Sequence, residues 1–280
     1  MIIPNHSPIY QQLDEAAQND QLVVFSGLPG VGKSLYILEF SKLAKKHNRT
    51  LTVIQWDIAR KGFETDEILE RFPMHEGTVH NGLKLCAGVW LIDTIRSWLN
   101  RNQNDSNQLL LIEAPLVGHR FIELAKEQNN VQVESFLKGE RSTFFVPIPS
   151  KRIRKKIEEA RAAQVAEDAK VWMGAKPSVM LMIWKMICGV ANKMGKHVEM
   201  DGQPPYDPEI YEFVFSKILK NRRFSPLFID EVFNVDIKDE KELHSNYGLK
   251  ADDSTANKIA SSIDPKKIDI DGIVAEWYIT

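Results

Sequence analysis

At 280 residues, 43% apolar and 26% charged, the chain is long enough to bury a sizeable core, and its composition excludes a disordered or fibrous class. Its 36 basic residues are balanced by 38 acidic ones, so no global positive field recruits nucleic acid or an anionic membrane, and any anion site must be local. The cysteines, Cys86 and Cys188, provide neither a disulfide framework nor a four-ligand zinc site, and suit a reducing compartment.

The amino-terminal stretch MIIPNHSPIYQQLDEAAQ lacks the basic region and sustained apolar core of a signal peptide, so a cytoplasmic protein is expected. Residues 21–26 read as a short buried strand. After the glycine-rich GLPGVGKS comes a helix with Ile37, Phe40 and Ala44 on one face. LTVIQW, 51–56, reads as a second strand ending at Asp57. Helical spacing follows from Glu67 to Phe72 and from His80 to Leu99. Between those two, FPMHEGTVHNG brings His75, Glu76 and His80 close together. Gly77 and Gly82 make this a loop rather than a helix-borne metal motif, which leaves either an acceptor-lining or a structural role.

LLLIEAP is a third strand ending at Glu113, helical spacing resumes from Arg120 to Glu127, and STFFVPIPS is a fourth strand that Pro147 and Pro149 close. Such alternation predicts a mostly parallel sheet covered by helices on both faces, with ligands beyond the carboxyl ends of its strands. The glycine loop, Asp57 and Glu113 all fall there. Residues 151–173, 176–196 and 207–221 then read as three helices, a lid or subdomain over the sheet. The most apolar of them, VMLMIWKMICGVA, is broken by Lys185 and too short to span ~30 Å of hydrocarbon. LFIDEVFNV, 227–235, is a candidate fifth strand, and the tail from Asp236 reads as charged and irregular. The expected organisation is one continuous globular unit: a core over 1–150, a helical lid region over 151–222, and a return strand and tail over 223–280.

GLPGVGKS fits the pattern G-x-x-x-x-G-K-[ST], with a strand before it and a helix after it. Its glycines let backbone N–H groups face phosphate oxygens, Lys33 reaches the β and γ phosphates, and Ser34 offers a hydroxyl to magnesium. The nucleotide-binding set is therefore Gly27, Leu28, Pro29, Gly30, Val31, Gly32, Lys33, Ser34 and Leu35. On this loop the chain resembles the P-loop nucleoside triphosphate-binding superfamily, which implies an α/β three-layer sandwich and ATP with magnesium as cofactors.

The second strand's WDIARKG resembles small-molecule kinases of that class, in which an acid at this place accepts the proton of the acceptor hydroxyl. The resemblance implies that Asp57 is that base or a magnesium-orienting group, that Arg60 grips an anionic part of the acceptor, and that Glu113 orients magnesium or contacts the acceptor. The Asp-Gly-aromatic-Pro-Arg run of nucleoside monophosphate kinases is absent; only Glu113, Pro115 and a distant Arg120 stand there.

In SKRIRKKIEEARAA, Arg154 and Arg161 share a helix face and resemble lid arginines that close on transferring phosphates, although Glu158 between them could simply pair with them. A rival reading takes Asp230 and Glu231 of LFIDE as the Walker B acids of an ATPase that couples hydrolysis to conformational change. KRIRKK alone supports no nucleic-acid function, because acidic residues share its helix and no aromatic platform accompanies it. The absence of an Asn-Lys-x-Asp segment argues against a GTPase. A small-molecule acceptor is the expected partner; its identity and the oligomeric state stay open.

Overall fold

The computed structural model describes residues 2–74, 78–167, 177–233 and 248–280. Five strands form one sheet: β1 (Leu22–Ser26), β2 (Thr50–Gln55), β3 (Gln108–Ala114), β4 (Ser142–Pro149) and β5 (Phe224–Ile229). All pairs are parallel, in the order β2-β3-β1-β4-β5. The chain is thus an α/β protein whose central strand precedes the glycine loop.

The period of two along each strand sorts its side chains into two apolar layers. Leu22 and Val24 of β1, with Leu110 and Ile112 of β3 and Phe144 and Val146 of β4, point into one layer. Val23, Phe25, Leu109, Leu111 and Phe145 point into the other. The second layer is closed by α1 (Pro8–Asn19) and α2 (Lys33–Lys46). Ile37, Phe40 and Ala44 of α2 are buried there, on the face their spacing predicts. The first layer is closed by α5 (Asn81–Asn102), by α8 (Pro177–Lys193) and α9 (Pro208–Ile218), and by two short carboxyl-terminal helices. Helices therefore flank both faces.

Prolines in a strand between two neighbours ordinarily break its ladder. Here β1 pairs β4 only from Ser142 to Phe145, and the rest of β4 pairs β5 alone. The N–H groups of Phe144 and Ser150 point to β5, at 2.9 and 2.8 Å from the carbonyls of Arg223 and Ile229. The odd-numbered Pro147 and Pro149 thus face the side that β1 has already left, so their missing donors break nothing. Pro226 is tolerated because β5 is an edge strand.

Several sequence expectations are corrected. β2 stops at Gln55, and Trp56 and Asp57 open a one-turn helix, α3 (Trp56–Ala59), followed by a 3-10 turn, Arg60–Phe63. α4 (Asp66–Arg71) lies where a short helix is predicted. The helix expected from Arg120 to Glu127 is only a 3-10 turn, Ile122–Leu124, because left-handed backbone at Leu116, His119 and Phe121 interrupts helical geometry. α6 (Val131–Lys138), with Asn130 capping it, was not legible. β5 starts at Phe224 and ends before Asp230. α7 spans Lys151–Glu167.

The described part of the tail is ordered. Asp252 and Asp269 cap α10 (Asp253–Ser262) and α11 (Ile270–Ala275), and Ala256, Ile259, Ile270 and Trp277 pack into the layer beneath α5. Residues 236–247 lie outside the described residues. Among the described residues, no helix is long and apolar enough to cross a membrane.

Cys86 on α5 and Cys188 on α8 are buried in that same layer, and burial pushes their thiols up to about 12 and about 11. Thiolate is the reactive form. Neither should therefore react with a chromogenic disulfide reagent at pH 8 in the folded protein, whereas both should react in denaturant; rapid native labelling would show that the layer is open.

Candidate functional site at the carboxyl ends of the central strands

β1 delivers the chain into Gly27–Gly32, and α2 begins at Lys33. Gly30 and Gly32 have φ of 81° and 88°, a region that side chains penalise and that turns successive amides inward. A Cβ on Gly30 would stand 3.0 Å from Met180 Cε and 3.3 Å from Arg161 Nε, so the loop has space for backbone only. Gly32 caps α2 without a side-chain bond, so it leaves the first-turn amides of this helix uncapped.

Residues far away in sequence fix the loop. The Tyr211 hydroxyl of α9 accepts the Leu28 N–H at 2.9 Å and touches the place where a Gly27 side chain would begin. Arg154 of α7, 1% exposed, donates through Nη1 to the Pro29 carbonyl at 3.2 Å and through Nε to Glu158 at 2.7 Å. Its guanidinium lies 5.4 Å from the centre of the Tyr206 ring, and its Nη2 has no hydrogen-bond partner among the described residues. Arg161 is brought to the same loop; burial, then the Arg154 charge, pulls its pKa down. The predicted pairing with Glu158 holds for Arg154, which serves the loop at the same time.

Lys33 Nζ donates to the carbonyls of Gly27 and Leu28, at 3.0 and 3.1 Å, and stands 3.5 Å from Glu113 Oε1. Glu113 reaches it because β3 is inserted between β2 and β1, in register with Phe25 on one side and Gln55 on the other. The Trp56 N–H also points at Glu113. Burial pushes Glu113 above the usual carboxylate range and Lys33 below the usual amine range, while their mutual attraction opposes both shifts. This pair is the electrostatic centre of the site.

Asp57 lies one turn beyond β2 with 74% of its side chain exposed, and its Oδ1 accepts from Arg60 Nε at 3.1 Å. Arg60 also meets Glu64. Asp57 is near enough for its charge to act on Lys33, Glu113 and Arg120 alike. Ser34 is exposed in the first turn of α2, with Leu35 half-buried beside it, and Val31 is buried beneath the loop. Asp230 and Glu231 follow the edge strand β5, which β4 separates from β1. Asp230 accepts from Ser150 at 2.8 Å and also meets Arg152. They are not brought to Lys33.

His80 is a helix cap: its Nδ1 accepts the Gly82 N–H at 3.0 Å. His75 and Glu76 lie outside the described residues. Among the described residues, no group of three or more His, Cys, Asp or Glu side chains is arranged to hold a metal ion. Tyr211 carries no signal in sequence, since its role depends on a contact across 183 positions.

Fold and site together define an α/β protein with an all-parallel five-stranded sheet and a polar cluster at the ends of its central strands. Compared with known protein families and with curated proteins, the chain matches none.

Proposed function

We propose that the chain binds ATP with magnesium at Gly27–Ser34 and transfers the γ-phosphoryl group to a small-molecule acceptor, as a P-loop kinase. The observation that carries this reading is Lys33, held between the glycine loop and Glu113 of the adjacent strand, with Arg154 and Arg161 converging on the same loop from α7. Backbone left open by glycine, uncapped helix amides and two guanidiniums make a site suited to a polyphosphate.

The residues present fit the cofactors. Gly30 leaves a cradle that a side chain would fill, and Ser34 and Glu113 supply oxygen ligands of the kind magnesium takes, the rest coming from phosphates and water. When bound, the ion would neutralise charge on the β and γ oxygens. Lys33 would release its loop carbonyls in favour of phosphate oxygens, Arg161 and Arg154 would spread charge over the transferring group, and Asp57 would accept the acceptor's proton.

A hydrolytic ATPase built on Asp230 and Glu231 is disfavoured because those acids follow the edge strand, where Asp230 pairs with Arg152, whereas Glu113 of the strand beside β1 meets Lys33. The two readings separate in the slow ATP hydrolysis a kinase shows without acceptor. Asp57→Asn is expected to abolish it and Glu231→Gln to leave it unchanged; the opposite pattern would establish the hydrolytic reading.

A further inference from the structure

The segment Pro115–Phe121, directly after β3, holds an unusual concentration of left-handed backbone: Leu116, Gly118, His119 and Phe121 have φ of 63°, 67°, 65° and 65°. Each non-glycine residue in that region is strained, because its Cβ is brought close to a carbonyl oxygen. The surroundings enforce it. Leu116 and Arg120 exchange backbone hydrogen bonds of 2.9 and 3.3 Å, and Phe121 is buried edge-on against Trp56, ring centres 5.0 Å apart. His119 is buried and bonded to Glu123 at 2.8 Å, with the Glu123 carboxylate laid over Gly88 of α5. Burial of the Leu116 and Phe121 side chains offsets the strain. Strain that is over-determined in this way, next to a reactive site, is a mark of function.

What the strained turn presents is Arg120. Among the described residues this partly buried guanidinium makes one side-chain hydrogen bond, to the Val117 carbonyl at 3.2 Å, and no ion pair. A second cation, Lys84 in the first turn of α5, is 9% exposed, and its one hydrogen-bond partner among the described residues is neutral, Asn81 Oδ1 at 2.8 Å. Lys84 stands one helical turn before Gly88, over which the Glu123 carboxylate lies, so the turn packs against this end of α5; burial, and then the charge of Arg120, pushes Lys84 down to about 8. The charges of Asp57, Arg60 and Glu113 act on Arg120, and that of Asp271 acts on Lys84. The nearest acid of the turn, Glu123, is turned to His119 instead. Opposite the turn stands α8, whose Met186 Sδ is 4.0 Å from where a Gly118 side chain would begin.

From this geometry we infer that the acceptor already carries a phosphomonoester, gripped by Arg120 and Lys84 beside Asp57. The inference rests on the kinase reading above and adds the acceptor's chemical class. Two cations that form no direct ion pair among the described residues suit a dianion, and a phosphomonoester carries a charge of about −1.5 to −2 near neutral pH where a carboxylate carries one. The Arg fork also fits phosphate oxygens in pairs.

Phenyl phosphate, with benzoate as its carboxylate counterpart, tests this by calorimetry on protein saturated with a non-hydrolysable ATP analogue and magnesium. Phenyl phosphate should bind the loaded protein, Arg120→Gln and Lys84→Gln should each weaken it tenfold or more without changing analogue affinity, and Arg120→Lys should recover part of the loss. If Arg120→Gln does not fold, Lys84→Gln carries the same test. Absence of binding, equal binding of benzoate, or unchanged affinity in both variants would overturn the inference while leaving the kinase reading intact. Failure of the analogue itself to bind would strike the kinase reading, and phenyl phosphate titrated alone would still report on Arg120 and Lys84.

Discussion

Lys33→Ala is expected to abolish measurable binding of ATP with magnesium, a loss of at least a hundredfold, and also to lower the melting temperature. The binding loss follows from removing the amine that stands between the loop and Glu113. The stability loss follows because Glu113, 12% exposed in its side chain, keeps its burial and loses its counter-charge, and breaking a buried pair from one side costs about 3–5 kcal/mol. The folded-state pKa of Glu113 already stands above its ordinary 4.5, and the variant raises it further. Between 4.5 and that raised value the folded state holds a proton that the unfolded state lacks, so stability is regained as pH falls through the window. Melting curves of Lys33→Ala should therefore improve on acidification from pH 7 towards 5. Lys33→Ala/Glu113→Gln should recover stability at pH 7 without recovering binding. A single variant that binds nucleotide normally would remove Lys33 from the site.

Arg161→Ala is expected to lower turnover on the order of a hundredfold or more while leaving the dissociation constant for ATP and the melting temperature nearly unchanged, because a preorganised donor acts mainly on charge that develops during transfer. Arg154→Ala should differ. Arg154 is buried, holds the Pro29 carbonyl and lies against Tyr206, so its removal orphans a loop acceptor and leaves a cavity. Turnover and melting temperature should fall together. Steady-state kinetics beside thermal denaturation distinguish the two variants, and wild-type turnover in both would return α7 to a structural role.

The strand β1, the glycine loop and α2 were legible because each follows a short-range rule: an apolar run, a glycine-rich pattern, and Ile37, Phe40 and Ala44 at helical spacing. Glu113 was legible as the last polar residue of an apolar strand. That it, and not Asp230, meets Lys33 depends on β3 lying beside β1 while β5 lies at the edge, and strand order is a tertiary property. The turn before Phe121 could not be read, since Leu116 and His119 carry no sign of left-handed backbone that packing alone imposes. Arg120 thus passed for the start of a helix. Tyr211 and the ordered tail were missed for a related reason: their roles exist only once distant segments meet.

The most direct test of the central claim is a crystal structure of the protein with a non-hydrolysable ATP analogue and magnesium. The phosphates are expected in the cradle of Gly27–Ser34, with the γ-phosphate beside Lys33 and Arg161 and the ion near Ser34 and Glu113. An analogue bound elsewhere, with Lys33 still on the carbonyls of Gly27 and Leu28, would contradict it.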